Sequence, residues 1–378
     1  MSKTEDVPKK EISSKPVAAP VVEAKEASAK ELVRTGKVKV LIIDDSKTIR
    51  NVLKLICSQD PDVEVIGEIE DPLKADEFLL KNKVDVITLD IHMPGMDGVQ
   101  LLAKIHPKYH IPTVMISALS KDDGPYVLNA LEIGAVDYIQ KPSMDEIKRK
   151  GPEIVERIKT ASLAHVKPQD RKQAAKVSNG PIDQSYIVAI GSSTGGTEAL
   201  KDLLTQLPAE IPPILIVQHI PAVFSAALAT RLNGLCKFEV KEASDMDPVK
   251  PGCVLIAPGG RQMKMAKDGK GGYCVRVTDD PAYNRHRPSV DFLFESIAEL
   301  APPNMVGVIL TGMGSDGARG LLKLKNKGAW TIAQDAASCV VYGMPRSAVE
   351  LGAHQEQLPL MDIPSAIVRE CQQSKKAS

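Results

Sequence analysis

Between residues 37 and 160, short apolar runs alternate with segments in which apolar residues recur at helical spacing. Each run stops at a polar or glycine-rich segment, as the buried strands of a parallel sheet do. Five such alternations predict a doubly wound, parallel α/β sheet. Helices are expected from Ser46, which has the side chain of an N-cap, to Ser58, and from Met144 to about Thr160. The predicted strands are VKVLIID, VEVIGEIE, VDVITLD, PTVMIS and AVDYI.

A second α/β pattern occupies residues 184–372 and predicts another doubly wound parallel sheet. Residues 262–278 interrupt it with alternating apolar and polar positions around Asp268-Gly269, which predicts a β-hairpin. The expected strands are Tyr186–Ile190, Pro213–Val217, Cys253–Ala257, Met305–Leu310 and Trp330–Ala333.

Polar segments separate and flank the two patterns. Residues 1–36 show neither the helical nor the strand spacing of apolar residues. They predict a disordered tail, because their composition cannot bury enough apolar surface. Residues 161–183 predict a linker. The expected organisation is therefore a tail (1–36), a first domain (37–160), a linker (161–183), a second domain (184–372) and a short tail (373–378).

Composition excludes several classes of partner. The formal net charge is +0 and aromatic residues make up 3% of the chain, which argues against nucleic acid and anionic membrane surfaces. No apolar run approaches the roughly 18 residues of a membrane span, and the N-terminus has no signal-peptide core. The six cysteines are scattered without a C-x-x-C pair, which indicates reduced thiols and a cytoplasmic protein.

An acidic pocket is predicted at the strand ends of the first domain. Asp44 and Asp45 follow the first strand and Asp90 follows the third, and these ends are neighbours in a doubly wound sheet. Converging carboxylates repel one another unless a hard cation bridges them, and Mg²⁺ is the natural candidate. Ser117 and Lys141 end the next two strands and would suit a phosphoryl group on an aspartate. A single aspartate there could equally be an N-cap.

The string VAIGSSTGG predicts a strand that turns sharply into a helix. Within it, Gly191 to Gly195 match G-x-S-x-G, which exposes a serine hydroxyl beside helix N–H groups. Ser193, the central residue, is the candidate nucleophile. A phosphate-binding loop and a simple tight turn are alternatives that this string leaves open.

A serine nucleophile needs a base, and the second domain contains three histidines. His219 ends the predicted strand ILIVQH, at the sheet edge where Ser193 also lies, and is the expected base. His286 lies within NRHRP, which is more typical of an anion or substrate contact, and His354 is peripheral. A histidine that merely ends a strand in the core is the alternative for His219.

The acid that orients the base should also follow a strand. Asp316 lies in the glycine-rich loop after VGVILTG and is preferred over Asp291, within a helical pattern, and Asp335. Its alternative role is that of a helix N-cap. The main-chain N–H of Met313 in the same loop could complete an oxyanion hole.

The first domain resembles the receiver domain of two-component response regulators, through IIDDS, LDIHMPGMDG, MISALS and GAVDYIQKP. The resemblance implies that Asp90 accepts a phosphoryl group and that Mg²⁺ binds Asp45 and Asp90, supported by Asp44. It also implies a switch pair, Ser117 and Tyr138, and a phosphate contact from Lys141.

The second domain resembles the catalytic domain of the chemotaxis protein-glutamate methylesterases (CheB type). The matching strings are IGSSTGGTEAL, VQHIP, VLIAPGGRQM, NRHRPSVDFLFESIA, ILTGMGSDGARG and AQDAASCVVYGMPRSAV. The resemblance implies the triad Ser193, His219 and Asp316, with Thr194 and the Met313 main chain supporting the oxyanion pocket. Two residues depart from the family pattern: Gln262, where relatives usually have histidine, and Ser192, where alanine is more usual.

Together the resemblances imply a phosphorylation-activated serine esterase that needs no cofactor for ester hydrolysis. Its expected substrates are glutamate methyl esters on methyl-accepting chemoreceptors, with glutamine deamidation as a plausible second activity. A chemotaxis histidine kinase is the expected phosphodonor, and the unphosphorylated receiver is expected to cover the active site.

Two other classes of function stay open on the residues alone. GSSTGG could hold the pyrophosphate of a dinucleotide, although such sites want an acidic residue about 20 positions on, where this chain has Gln218 and His219. The chain could also be a signalling scaffold with a vestigial triad.

Overall fold

The computed structural model describes residues 36–118, 123–164, 166, 178 and 180–372. Within these residues the chain forms two parallel β-sheets flanked by helices. Apart from Gly36, the predicted tails lie outside the described residues, as does most of the predicted linker. Among the described residues, no helix is both long enough and apolar enough to span a bilayer.

The N-terminal region (residues 37–161) contains the predicted five-stranded sheet, in the order β2-β1-β3-β4-β5 with every pairing parallel. A change of direction occurs between β1 and β3, and ligands bind at such switch points. The strands are β1 (Val38–Ile43), β2 (Val63–Ile69), β3 (Val86–Asp90), β4 (Thr113–Ser117) and β5 (Asp137–Gln140). The helices are α1 (Lys47–Cys57), α2 (Ala75–Lys81), α3 (Gly98–Tyr109), α4 (Gly124–Ile133) and α5 (Ile147–Ala161).

Local sequence explains where these helices begin. Ser46 is the N-cap of α1, and its hydroxyl accepts a hydrogen bond from the Ile49 N–H, as predicted. The expected helix from Met144 starts instead as a 3₁₀ turn, Met144–Glu146, before α5 begins at Ile147. A short 3₁₀ turn at a helix start is common and changes the predicted boundary by three residues.

The C-terminal region (residues 187–372) contains a seven-stranded parallel sheet, in the order β14-β13-β12-β6-β7-β9-β8. The predicted hairpin pairs β10 with β11 outside this sheet. The strands are β6 (Ile187–Ser192), β7 (Ile214–Gln218), β8 (Glu239–Glu242), β9 (Cys253–Ile256), β10 (Gln262–Lys267), β11 (Tyr273–Thr278), β12 (Met305–Ile309), β13 (Trp330–Gln334) and β14 (Glu356–Leu358). The helices are α6 (Gly196–Leu204), α7 (Ala222–Leu235), α8 (Val290–Leu300), α9 (Ala318–Asn326), α10 (Met344–Glu350) and α11 (Ile363–Gln372).

The sequence analysis missed the two edge strands, β8 and β14. Both are short and only partly buried, so neither shows the continuous apolar run by which the inner strands were predicted. The inner strands β6, β7, β9 and β12 are buried along their whole length. This pattern is expected where helices cover both faces of a parallel sheet.

The sheet order determines where a site can form. Strand β6 lies between β12 and β7, and the strand order runs outward from it in both directions. The loops after β6, β7 and β12 therefore meet at one edge of the sheet, at its topological switch point.

Helix α7 provides a matched test of this packing. Leu228 is 1% exposed and Leu235, at the end of the same helix, is 50% exposed. We expect Leu228→Ala to lower the free energy of unfolding of the C-terminal region by about 2–5 kcal/mol, through lost burial and a cavity. Leu235→Ala should change it by less than about 0.5 kcal/mol. Trp330 on β13 is the only tryptophan, so its fluorescence during urea unfolding reports this region; equal shifts for the two variants would contradict the packing.

Candidate active site

The turn after β6 has the geometry that G-x-S-x-G predicts. Strand β6 ends at Ser192, Ser193 and Thr194 form the turn, and α6 begins at Gly196. Gly195, the N-cap of α6, has φ = 75°, and a Cβ there would lie 2.6 Å from the Cβ of Val340. Both the left-handed backbone and the close approach require glycine. The turn therefore presents Ser193 at the start of a helix.

The two serines of this turn have different surroundings. Ser192 is 0% exposed, and its hydroxyl donates to Oε1 of Gln218 at 2.6 Å. The Gln218 amide in turn donates to the main-chain oxygens of Ser193 and His219. Ser192 is thus part of a buried bridge between β6 and β7. Ser193 is partly exposed, and within the described part of the chain its hydroxyl forms no hydrogen bond, which favours it as the nucleophile.

Register brings the expected base beside Ser193. Ser192 of β6 is paired with Gln218 of β7, so the next residues, Ser193 and His219, both lie just beyond the paired ends. The His219 N–H also donates to the Ser192 carbonyl at 3.1 Å. Nδ1 of His219 is buried without a hydrogen-bond partner among the described residues. Among the described residues, no hydrogen bond joins the side chains of Ser193 and His219. Hydrogen bonds between a nucleophile and its base often form only when substrate is bound.

The other ring nitrogen of His219 contacts Asp316. Nε2 lies 2.8 Å from Oδ2 of Asp316, whose side chain is 1% exposed. The Val290 N–H at the start of α8 donates to the same oxygen at 2.7 Å. The other oxygen, Oδ1, accepts from Asn284 Nδ2 at 2.9 Å and from the Ser289 hydroxyl at 2.8 Å. Burial alone would raise the pKa of Asp316, but the bonds and charge of His219, with Asn284 and Ser289, lower it well below its usual range.

The alternatives for the acid do not fit this geometry. Asp316 is not the N-cap of α9, which is Gly317, and its carboxylate is bonded instead to the start of α8. Asp291 is buried but bonds the Gly320 N–H and Asn284. Asp335 accepts from the backbone and hydroxyl of Ser338 in a local turn. Among these three carboxylates of the described residues, Asp316 is the one that contacts His219.

The expected oxyanion groups lie on two adjacent loops. The Ser193 N–H is occupied by the Thr311 carbonyl at 3.0 Å. The main-chain N–H groups of Thr194 and Met313 donate to no partner among the described residues. A Cβ on Gly312 would lie 2.7 Å from the Cβ of Ser193, so glycine there lets the two loops approach. The arrangement offers two main-chain donors beside the hydroxyl of Ser193.

The loop before α8 holds site residues whose roles the sequence analysis missed. The ring of His286 is stacked on that of His219, with centroids 3.8 Å apart and planes 8° apart. Asn284, with φ = 51°, donates to both Asp316 and Asp291. Neither contact follows from spacing along the chain. The strained, non-glycine backbone at Asn284 and the neighbouring Arg285 (φ = 68°) is visible only in the structure.

Gln262 also has a definable role. Its amide donates to the carbonyls of Pro281 and His286, and its Oε1 accepts from the Ser289 N–H. Gln262 is 0% exposed, so these bonds join β10 to both ends of the loop. The departure from histidine at this position therefore concerns how the loop is anchored, and Gln262 does not contact the triad directly.

The predicted acidic pocket is present in the N-terminal region. One oxygen each from Asp44, Asp45 and Asp90 lie within 4.8 Å of one another. Lys141 Nζ lies 2.7 Å from Asp90 Oδ2 and 3.2 Å from Asp44 Oδ2. Burial, opposed by Lys141, raises the pKa of Asp90, and burial with the charge of Asp90 raises that of Asp44. Three carboxylates with one lysine leave uncompensated negative charge, and this oxygen donor set fits Mg²⁺.

The two expected switch residues, Ser117 and Tyr138, contact residues outside the acidic pocket. The Ser117 hydroxyl donates to Oδ2 of Asp123 at 2.7 Å, and the other oxygen of Asp123 lies 2.6 Å from Nε2 of His92. Tyr138 is 5% exposed and packs edge-on against Phe224 of α7, with ring centroids 5.2 Å apart. Tyr138 therefore lies at a contact between the N-terminal and C-terminal regions.

That contact reaches the candidate active site. The Thr194 hydroxyl lies 3.4 Å from Oδ2 of Asp137, and the Thr160 hydroxyl lies 3.0 Å from Sδ of Met313. Arg157 of α5 holds Asp137 through two hydrogen bonds, at 3.0 and 2.7 Å. Farther out, Glu132 of α4 forms ion pairs with two cations of the C-terminal region, Lys201 and Arg231. Both residues expected to form the oxyanion pocket are thus contacted by the N-terminal region.

Comparison with protein families assigns both regions. Residues 188–367 match the CheB methylesterase family, and residues 40–159 match the response regulator receiver domain.

Similar proteins extend over nearly the whole chain. The protein-glutamate methylesterase/protein-glutamine glutaminase of Bordetella parapertussis is 44% identical over 339 residues, covering 88% of this chain and 97% of the relative. The protein-glutamate methylesterase/protein-glutamine glutaminase 2 of Syntrophus aciditrophicus is 45% identical over 341 residues, covering 88% and 99%. Among solved structures, the CheB methylesterase catalytic domain of Thermotoga maritima is 41% identical, covers 48% of this chain and 97% of its own, and has a TM-score of 0.47.

The distinction between the two serines can be tested with a fluorophosphonate probe, which labels activated serine hydroxyls. We expect Ser193→Ala to abolish labelling, because its hydroxyl is the exposed one beside His219. Ser192→Ala is the matched control and should be labelled at close to the rate of the unaltered protein, since its hydroxyl only bridges to Gln218. Labelling measured by intact mass, with loss in both variants or in Ser192→Ala alone, would show that the wrong serine has been assigned.

Proposed function

This chain belongs to the CheB family of protein-glutamate methylesterases, and on that basis we propose that Ser193, His219 and Asp316 are its catalytic triad. The observation that supports this most is the position of His219 just after β7, with Nε2 on a buried aspartate and Nδ1 without a hydrogen-bond partner among the described residues. The proposed division places a receiver domain at 37–160, a linker at 161–183 and the catalytic domain at 184–372, between terminal tails.

In this proposal the two ring nitrogens of His219 have different roles. Nε2–H donates a hydrogen bond to Asp316, so Nδ1 has the lone pair that accepts the proton of Ser193. The many donors to Asp316 keep it ionised, and an ionised carboxylate holds His219 in this tautomer and stabilises the imidazolium that forms. The nitrogens are used in the opposite sense to the serine proteases, and the triad order along the chain also differs. Triads are defined by geometry and not by either feature.

The proposed reaction is acyl transfer. Ser193 Oγ attacks the ester carbonyl as its proton passes to His219, and the main-chain N–H groups of Thr194 and Met313 bind the oxyanion. His219 then protonates the departing methoxide, which leaves as methanol. Water, deprotonated by His219, releases the acyl group as a free glutamate carboxylate. With a glutamine side chain the same steps release ammonia, so both activities named for the relatives fit one site.

The proposed substrates are methylated glutamates of methyl-accepting chemoreceptors, and the site needs no cofactor for their hydrolysis. The alternative of a dinucleotide site is not supported, because Gln218, at the position of the ribose-binding acid, is engaged with Ser192 and the backbone. The cytoplasm is the proposed location, which agrees with the six free cysteines.

For the receiver we propose that a chemotaxis histidine kinase phosphorylates Asp90. Asp44, Asp45 and Asp90 would hold Mg²⁺, which neutralises charge as the phosphoryl group is transferred. Lys141 would contact the phosphoryl group, and Ser117 and Tyr138 would respond to it. Ser117 would have to leave Asp123, and Tyr138 is already at the contact with α7.

The contact between the regions supports regulation by occlusion. Asp137 and Thr160 contact the residues proposed to form the oxyanion pocket, so the N-terminal region would block an ester from reaching it. Phosphorylation would activate the enzyme by weakening these contacts. Such coupling requires contacts that exist in one state and not in the other.

Methanol release from methylated receptor membranes tests the triad. His219→Gln should lower the rate about 10⁴-fold or more, as should Ser193→Ala. The double variant should be no slower than either single variant, because triad members act as a unit. Asp316→Asn should also lower the rate, through loss of the correct tautomer. Additive losses in the double variant, or a normal rate in Asp316→Asn, would contradict the assignment.

Regulation can be tested with the same assay. Asp90→Asn should leave the basal rate intact and abolish stimulation by acetyl phosphate with Mg²⁺, because it removes only the phosphoryl acceptor.

Glu132→Gln weakens the ion pairs that Glu132 forms with Lys201 and Arg231 across the contact between the regions, and partly exposed pairs contribute about 0.2–1 kcal/mol. We therefore expect it to raise the unphosphorylated rate by up to about fivefold.

Glu156→Gln is the control for Glu132→Gln, since Glu156 is an exposed glutamate of the same region that forms no ion pair among the described residues. It should leave the basal rate unchanged. If Glu132→Gln also leaves the rate unchanged, while acetyl phosphate still activates the protein, activation does not proceed by release of this contact.

A further inference from the structure

The face of His219 is covered by a second imidazole that the triad does not use. The rings of His219 and His286 are nearly parallel, with planes 8° apart and centroids 3.8 Å apart. This is closer than most aromatic pairs, whose centroids lie about 4.5–7 Å apart. The side chain of His219 is 10% exposed, and the ring of His286 covers one of its faces.

The backbone of His286 is held on both sides. Its N–H donates to the Tyr283 carbonyl at 2.9 Å, and its own carbonyl accepts from the Tyr283 N–H and from Gln262 Nε2, both at 3.0 Å. Gln262 also bonds the Ser289 N–H, and Ser289 caps α8 while donating to Asp316. The same anchored loop therefore positions the side chains that donate hydrogen bonds to Asp316 and the ring that stacks on His219.

We propose that His286 is a positioning residue, whose ring holds the plane of the His219 imidazole so that Nδ1 points at the Ser193 hydroxyl. The proposal rests on the triad assignment above and adds to it a role for a histidine outside the triad.

The hydrogen bond of the His219 side chain does not by itself fix that plane. The second side-chain torsion of histidine has a broad energy profile, so the rotamer alone does not orient the ring. The hydrogen bond to Asp316 restrains one atom, Nε2, about which the ring can still tilt. A catalytic group must be held within about 10–20° of its productive orientation, and misplacement by about 1 Å costs about 100-fold in rate. A parallel ring against one face blocks this tilt.

His286 must stay neutral to hold the His219 ring, because His219 becomes positively charged during the reaction. Burial, the neighbouring His219 and the cations Arg285 and Arg157 lower the pKa of His286 to about 4, against the opposing charge of Asp316. A group with a lowered pKa is neutral at any pH above that value. His286 therefore presents an uncharged ring near neutral pH and adds no repulsion when His219 gains its proton.

Two variants of His286 separate positioning from chemistry. His286→Phe keeps a flat ring but has no nitrogen, and His286→Ala removes the ring. Methanol release from methylated receptor membranes should fall about 10–100-fold in kcat for His286→Ala, with little change in KM. His286→Phe should recover most of that loss and should respond to pH between 5 and 9 as the unaltered enzyme does. The ¹⁵N spectrum of His219 should show the Nε2–H tautomer in His286→Phe and a mixture in His286→Ala.

Each other outcome would overturn the proposal. If His286→Phe is as slow as His286→Ala, with both folded by circular dichroism, a ring nitrogen of His286 takes part in the chemistry. If KM rises and kcat does not change, His286 binds substrate. If His286→Ala is as active as the unaltered enzyme, or if it does not fold while His286→Phe shows mixed tautomers, the stack has no positioning role. Ser193→Ala is run in parallel: its activity would overturn the triad itself, whereas its inactivity confines any failure to His286.

Discussion

The buried carboxylate of Asp316 is the constraint on which the catalytic region depends. A carboxylate that is 1% exposed is costly unless hydrogen bonds replace its hydration. Here they come from His219, from Asn284 and Ser289 in one loop, and from the start of α8. The loop must therefore adopt the conformation that delivers these donors, even with positive φ at Asn284 and Arg285. The strain at these two residues is balanced by the bonds that the loop supplies to the acid.

Parallel topology explains why the sequence could suggest a candidate triad but not the residues that surround it. Ser193, His219 and Asp316 each follow an inner strand, and parallel topology brings those strand ends together whatever the loops do. Apolar runs reveal such strands, and so the fold and the triad candidates follow from the pattern. His286, Asn284 and Gln262 reach the site from the segment between the hairpin and α8. Their contacts depend on the conformation of the loop and on side-chain direction, which no periodic pattern of apolar residues predicts.

The edge strands and the serine pair show the same limit on a smaller scale. Strands β8 and β14 are partly exposed and short, so their residues do not form the apolar runs that mark β6 or β12. Motif position preferred Ser193 over Ser192, but the physical reason is the hydrogen bond from Ser192 to Gln218. A side-chain bridge between neighbouring strands becomes evident only once their register is known.

The contact between the two regions involves the side chains of residues whose main-chain N–H groups are proposed to serve catalysis. Thr194 and Met313 are proposed to hold the oxyanion, and their side chains contact Asp137 and Thr160. Under the proposed occlusion, these contacts have to loosen before an ester reaches the pocket. The contacts can be modest, because couplings between sites are typically about 1–3 kcal/mol. Asp137 adjoins Tyr138, which packs on Phe224, so a small movement of β5 would alter the oxyanion contact and the α7 contact together. Regulation in this protein is thus expected to act on access to a preformed triad, since Asp316 and His219 are held by bonds within the C-terminal region alone.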